Sequence, residues 1–299
     1  MQSSVTTIAL PAALAVIMLG LGLHLTVADF VRIARTPRTL ALALACQLLI
    51  LPVLAFGLIK LFDLPAALAV GMMLLAASPG GTTANMLSHL FGGDVALNVS
   101  LTAINSIAAV VSVPVVTNFA LGYFLPAGEG AVGLQFGKTV QVFAVVLTPV
   151  ALGMLIRWRK PRFATLMDRP ARIASATLLG VVVVAALIAE RDKVGDYLAS
   201  VGAVAAVFCV LSLSLGYLAP LVLGIGTRQA IACSMEIGIH NSAVAITVAS
   251  GVLGNSEFAV PAAVYGILMY PIAGLFGYII SRPLARSRGG DTAALPVKS

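Results

Sequence analysis

Long apolar runs succeed one another along almost the whole chain, and that spacing leaves few folds open. A helix needs about 20 apolar residues to cross the hydrocarbon layer of a bilayer. Runs that meet this requirement, or nearly so, lie at about 5–28, 39–60, 64–91, 94–124, 134–157, 173–190, 196–225, 229–254 and 257–281. Backbone amides in lipid have no water to bond, so each run must satisfy them internally as a helix. The expectation is an all-α polytopic membrane protein with about nine transmembrane helices. It forms a single transmembrane transporter domain over 1–299, with a short cytoplasmic tail from about 282 to 299. Composition agrees, since only 10% of residues are charged where a soluble domain carries about 25%. Cys46, Cys209 and Cys233 all fall inside apolar runs without a CxxC pair, and read as small buried hydrophobes. The opening MQSSVTTIAL lacks a basic n-region and reads as the start of a first helix, not as a signal peptide.

A net charge of +7 invites a nucleic-acid reading, but the basic residues cluster in short loops with no aromatic interleaving and no soluble module to carry them. They read instead as a topology signal. With nine spans and the N-terminus outside, four of the 18 cations (Lys60, Lys138, Arg191 and Lys193) face outward and the remaining 18 − 4 = 14 face the cytoplasm. The positive-inside rule therefore orients the chain with its N-terminus outside and its C-terminus in the cytoplasm.

Two spans are abnormal. The third contains Ser78-Pro79-Gly80-Gly81-Thr82-Thr83-Ala84-Asn85, and the eighth contains Glu236-Ile237-Gly238-Ile239-His240-Asn241-Ser242. Proline removes a helix donor and clashes with the preceding turn, and paired glycines lower the cost of unwinding. Unwound backbone at membrane depth is tolerated only where protein or a watery cavity satisfies it. Spans three and eight run in opposite directions, and each is followed by a short acidic turn and another helix. This layout suggests an inverted repeat, with spans 1–4 answering 6–9, and two broken helices crossing near the midplane. Paired interrupted helices are the sequence pointer to a secondary transporter's binding site.

Glu236 is the one acidic residue placed within a span. An intramembrane charge costs about 2.5–3.5 kcal/mol on insertion scales, so it requires a partner. No Lys or Arg lies at comparable depth, which leaves a bound cation or a protonated, hydrogen-bonded packing role. In the fourth span Asn98, Thr102 and then Asn105 or Ser106 share one helical face. Such oxygen donors suit hard cations, or hydrogen bonds between helices. Gln47 interrupts the second span and offers a further oxygen, while His24 and His89 lie toward helix ends, where interfacial or packing roles fit. Glu236 and His240 are spaced i, i+4, yet no H-E-x-x-H and no third ligand accompany them, so an intramembrane metalloprotease is excluded. No GxSxG, Walker A or Rossmann fingerprint occurs, and no catalytic residue is assigned.

Taken together, Met18-Leu19-Gly20-Leu21-Gly22-Leu23, Ala28-Asp29-Phe30, the Gln47 helix, SPGGTTAN, DVALNVSLTAINS and EIGIHNSAVAI resemble, in order, the bile acid/sodium symporter family, in its nine-helix bacterial-type form. The resemblance covers nearly the whole chain. It implies a core domain that includes two crossed broken helices, and a panel domain moving against it. It places a first sodium site on Asn85, Asn98, Thr102 and Glu236, with Ala84 standing where the family has serine. A second sodium site falls on Gln47, Glu236, backbone carbonyls around Ile237 and Ile239, and the position of His240, where some members have glutamine. Whether His240 replaces a ligand or couples protons stays open. Substrate near the crossover implicates Thr82, Thr83, Asn241 and Ser242, since free amides at helix amino ends attract anions.

The reading is a sodium-coupled symporter of a small organic anion in a bacterial inner membrane, working by alternating access. Its partners are Na⁺, the anion and the lipid bilayer, with no nucleic acid. The anion is a pantoate-like hydroxy or keto acid, or a bile-acid-like steroid; Met269 and Tyr270 stand where some relatives carry polar residues, which weighs against a bile acid. The rivals are a substrate-binding sensor or channel, or an uncoupled or proton-coupled anion carrier. Orientation is testable directly. Single cysteines placed between Arg157 and Arg172, on a background lacking the native three, should resist an impermeant thiol reagent in intact cells. Labelling there from outside would overturn the topology.

Overall fold

The computed structural model of the chain describes residues 37–125, 151–167 and 194–291, together with residues 16, 19, 23, 148, 149, 170, 173 and 177. The expected spans 5–28 and 173–190 lie largely outside the described residues, as does most of 134–157. Among the described residues the structure is helical, with no strand beyond one isolated bridge.

Helix α1 covers Pro37–Leu61 and widens into a π turn at Cys46–Ile50. Pro52 explains the widening, because its ring crowds the carbonyl of Leu48, four residues back, inside that turn. Helix α2, Ala66–Ala77, is buried on every side from Leu68 to Ala77. A helix apolar all round belongs at the centre of a bundle. Gly71 lets it approach closely, since a side chain there would run into the Phe258 carbonyl and Pro261. After the break at 78–81 comes α3, Thr82–Leu90, closed by Gly92 at φ 76°. Asp94 then caps α4, Val95–Phe124, by accepting from the Leu97 amide at 3.0 Å. Helix α4 bends by 50° between Val95–Ala109 and Val111–Phe124. Pro114 supplies the cause, having its ring against the carbonyl four residues earlier, at position 110.

Residues 151–159 and 161–167 are helical. The second half of the bundle comprises α5 (Val194–Val222), α6 (Thr227–Gly238), α7 (Ser242–Val252) and α8 (Val260–Asp291). Like α2, α6 is 12 residues long, and Gly254 at φ 69° follows α7 as Gly92 follows α3. Gly216 of α5 lies so near the backbone of Cys233 and Ser234 that a Cβ would collide with it. Small residues are how helices approach when lipid supplies no hydrophobic drive between them.

Three helical stretches among the described residues are long and apolar enough to cross a membrane: Pro37–Leu61, Val201–Val222 and Glu257–Ser281. The bent α4 is a fourth if its halves form one span. On α4, Val111, Val115 and Phe119 form an exposed apolar stripe at helical spacing, as a lipid-facing surface requires. At the far ends of α1 and α4, Lys60 Nζ lies 4.7 Å from the Tyr123 ring centre, beside Phe56 and Phe124. An amphipathic cluster of this kind suits the headgroup level.

Candidate functional site

The two breaks satisfy each other. The Gly81 amide donates to the Ile239 carbonyl at 2.8 Å, and the Asn241 amide donates to the Pro79 carbonyl at 2.8 Å. These bonds make a short antiparallel bridge between Gly80 and His240. Side chains complete the accounting at the carboxyl ends of α2 and α6, where helix carbonyls lose their internal donors. The Ser78 carbonyl accepts from Gln47 Nε2 at 2.8 Å and from His240 Nδ1 at 3.2 Å. Ser112 Oγ donates to the Ala77 carbonyl at 3.4 Å and Tyr265 Oη to the Gly238 carbonyl at 2.7 Å.

Glu236, fully buried, lies two residues before the end of α6. Its Oε2 accepts from Thr102 Oγ1, and its Oε1 accepts from Asn105 Nδ2 at 3.0 Å. One turn earlier on α6, the Ala232 carbonyl accepts from Asn98 Nδ2 at 2.6 Å. One face of α4 thus meets α6 at two successive turns. Gly80 closes the other side, for a side chain there would overlap the Glu236 carboxyl group. Among the described residues, no basic side chain is hydrogen-bonded to this carboxylate.

Four buried amide oxygens have no partner among the described residues: Gln47 Oε1, Asn85 Oδ1, Asn98 Oδ1 and Asn105 Oδ1. The orientation of three of these amides follows from their neighbours. The Ser78 and Ala232 carbonyls and the Glu236 carboxylate accept, so the amide nitrogen must face each and the oxygen is left bare. An unpaired buried acceptor costs about 1–3 kcal/mol. Uncharged amide oxygens and a carboxylate are hard ligands, and donors of this kind suit an alkali cation.

The remaining sequence-predicted residues fall as follows. Ile237 lies in the last turn of α6, and the Ile239 carbonyl is engaged in the bridge. His240 is buried, stacked on Phe208 at 5.4 Å between ring centres and set edge-on to Tyr265 at 5.4 Å. Its i, i+4 spacing from Glu236 does not put the two on one face, because the helix ends at Gly238. Thr82 opens α3 and Thr83 follows it, half-buried. Asn241 caps α7, its Oδ1 accepting from the Val244 amide at 3.3 Å. Ser242 is buried with its hydroxyl unpartnered. Of the two α4 candidates left open, Asn105 faces Glu236, whereas Ser106 Oγ bonds back to the Thr102 carbonyl at 2.6 Å. The i, i+7 spacing from Asn98 was the available signal. Nothing in the sequence marked Phe208 and Tyr265, which are ordinary apolar positions of distant helices. His89 is exposed at the end of α3, and the three cysteines are free, with Cys46, Cys209 and Cys233 all buried.

A multi-pass helical membrane protein with two interrupted helices joined backbone to backbone beside a buried carboxylate has the architecture of a membrane carrier. The chain belongs to the sodium bile acid symporter family, whose sequence profile matches residues 11–196. That family is one of transporters, not of enzymes. The chain is 32% identical to the probable chloroplastic sodium/metabolite cotransporter BASS2 of rice (Oryza sativa subsp. japonica), over 85% of this chain and 59% of the relative. It is 27% identical to the uncharacterized sodium-dependent transporter YocS of Bacillus subtilis (strain 168), over 85% of this chain and 77% of the relative. It is 25% identical to the human ileal sodium/bile acid cotransporter, over 98% of this chain and 84% of the relative. The chain spans about three fifths of the length of the plant relatives it matches.

The contact between Gly80 and the carboxyl group predicts a specific coupling. Gly80→Ala overpacks the site and should cost about 1–3 kcal/mol. In a Glu236→Ala background the obstructing carboxyl is gone, and the same change should cost much less. Unfolding midpoints of the four proteins in detergent measure this, and simply additive losses would refute the contact.

Proposed function

We propose that this protein is a secondary active transporter that couples inward movement of a small organic anion to sodium. The observation that carries the reading is the buried Glu236 carboxyl group beside the crossover, held among the described residues by neutral donors and by no basic side chain, with the bare amide oxygens of Asn98 and Asn105 on the helix packed against it. The names of the rice, B. subtilis and human relatives describe sodium-coupled or sodium-dependent carriers and support the same ion.

In this reading Asn85, Asn98, Thr102 and Glu236 hold one sodium ion. Gln47, Glu236, carbonyls around Ile237 and Ile239, and the position of His240 hold a second. The bare oxygens of Gln47, Asn85 and Asn98 support these sets. The anion sits at the amino ends of α3 and α7, near Thr82, Thr83, Asn241 and Ser242, where the helix dipole favours negative charge. A pantoate-like hydroxy or keto acid is the first candidate and a bile-acid-like steroid the second. The core carries ions and anion while moving against the panel, in two inverted halves of a nine-helix chain. The N-terminus lies outside a bacterial inner membrane. Two sodium ions with one monovalent anion move 2 − 1 = +1 charge inward per cycle. A negative interior then favours uptake by about 2.3 kcal/mol per 100 mV.

Uptake into sealed liposomes tests the proposal. Labelled hydroxy acids, keto acids and a bile acid are offered with an inward sodium gradient, and again with potassium in its place. Accumulation of one anion class above equilibrium should require the sodium gradient. Glu236→Gln removes the shared counter-charge and should abolish accumulation while the protein still elutes as a single species in detergent. Binding without accumulation would identify a sensor, and downhill equilibration an uncoupled carrier. Wild-type accumulation by Glu236→Gln would falsify the counter-charge role.

A further inference from the structure

Asn105 belongs to neither of the sodium sets proposed above, yet it makes one of only two side-chain hydrogen bonds to Glu236 among the described residues. Asn98, Thr102 and Asn105 fall within about 60° of arc on a helix. They form one row on α4, all three buried and aimed at α6.

The two bonds to Glu236 differ in kind. A threonine hydroxyl both donates and accepts, so Thr102 can serve a carboxylate or a carboxylic acid. Thr102 Oγ1 also lies 3.0 Å from the Asn98 carbonyl, so its single proton has two competing acceptors. The Asn105 amide nitrogen only donates. Its bond therefore favours an Oε1 with its lone pairs free, the form that ligates a cation. Asn105 Oδ1 is buried and accepts from no donor among the described residues, so this amide is not held in place by a competing hydrogen bond to its oxygen.

We propose that Asn105 is a positioning residue for Glu236 that sets the affinity of the site for sodium. It rests on the sodium reading above. Asn105 fixes Oε1 between α4 and the crossover at Gly80, and each carboxylate oxygen keeps a second lone pair for the ion. Without this donor the carboxyl group is free to turn or to hold a proton, and sodium must do the work of ordering it.

The test needs no organic substrate. The purified chain in detergent is titrated with sodium chloride, with choline chloride holding ionic strength constant, and its unfolding midpoint is followed. Asn105→Ala should raise the sodium concentration for half-maximal stabilisation by about tenfold or more, as loss of a hydrogen bond to a charged group implies. Asn105→Gln keeps the donor on a longer arm and should recover much of the affinity. Asn105→Leu fills the volume without a donor and should raise the half-saturating sodium in the same way, which carries the test if the alanine variant folds poorly. Thr117→Ala, which removes a buried, unpartnered hydroxyl from the same helix, should leave the titration unchanged. A purely structural role would lower the sodium-free midpoint and leave the half-saturating sodium alone. Asn105→Ala titrating like the wild type overturns the proposal by itself. A wild-type chain that ignores sodium overturns the sodium reading and this proposal with it.

Discussion

The exchange of two backbone hydrogen bonds between the broken helices is the constraint on which the site depends. Gly81 and Asn241 each donate across to the other break. In hydrocarbon, an unmatched amide or carbonyl costs several kilocalories per mole. Neither break is therefore stable alone, and each supplies what the other lacks. The pairing leaves little freedom for what lies around it. It sets α6 beside α3 and α7 beside α2, and puts Gly80 against the carboxyl group of Glu236, near the end of α6. It also brings the Ser78 carbonyl within reach of both Gln47 and His240. Three chain segments distant in sequence thus meet on one carbonyl oxygen, and any shift of the crossover against α1 must first break the Gln47 bond.

The features legible in the sequence were those carried by residues that conflict with their surroundings. Pro79 with two glycines, and Glu236 in an apolar run, are local contradictions that a bilayer resolves in few ways. The described helices follow the expected runs closely: 39–60 became Pro37–Leu61 and 94–124 became Val95–Phe124. Less legible was the geometry within helices. Pro52 and Pro114 were visible, but whether a proline produces a wide turn or a 50° bend depends on what packs against the freed carbonyl. The choice between Asn105 and Ser106 was also undetermined, because both lie near the same face and only the position of α6 separates them.

His240 shows where spacing arguments stop. Four residues of separation implies a shared face only while the helix continues. Here it ends at Gly238, and the ring turns away to lie between Phe208 and Tyr265. Its Nδ1 meets a carbonyl, which can only accept, so the neutral ring carries its proton there and Nε2 is left as a bare lone pair. The same ring thereby helps to cap the end of α2 and fills an aromatic pocket. Those roles suffice to explain a flat, rigid side chain at this position, beside any part it takes in binding.

The choice of partners for Glu236 follows from what a carrier has to do. A lysine or arginine in place of Thr102 or Asn105 would bury the carboxylate at lower cost, yet it would form a permanent pair. Neutral donors orient the charge and leave it uncompensated, so the remaining attraction is available to an ion that arrives and departs. The bare oxygens of Gln47, Asn85, Asn98 and Asn105 fit the same logic. Each is an acceptor held out of water that no donor among the described residues satisfies, and a cation on these oxygens would meet several of those needs at once. On the sodium reading, the ion-free protein is therefore strained in a defined way. The ion relieves that strain, and it favours whichever conformation gathers these oxygens around it more tightly.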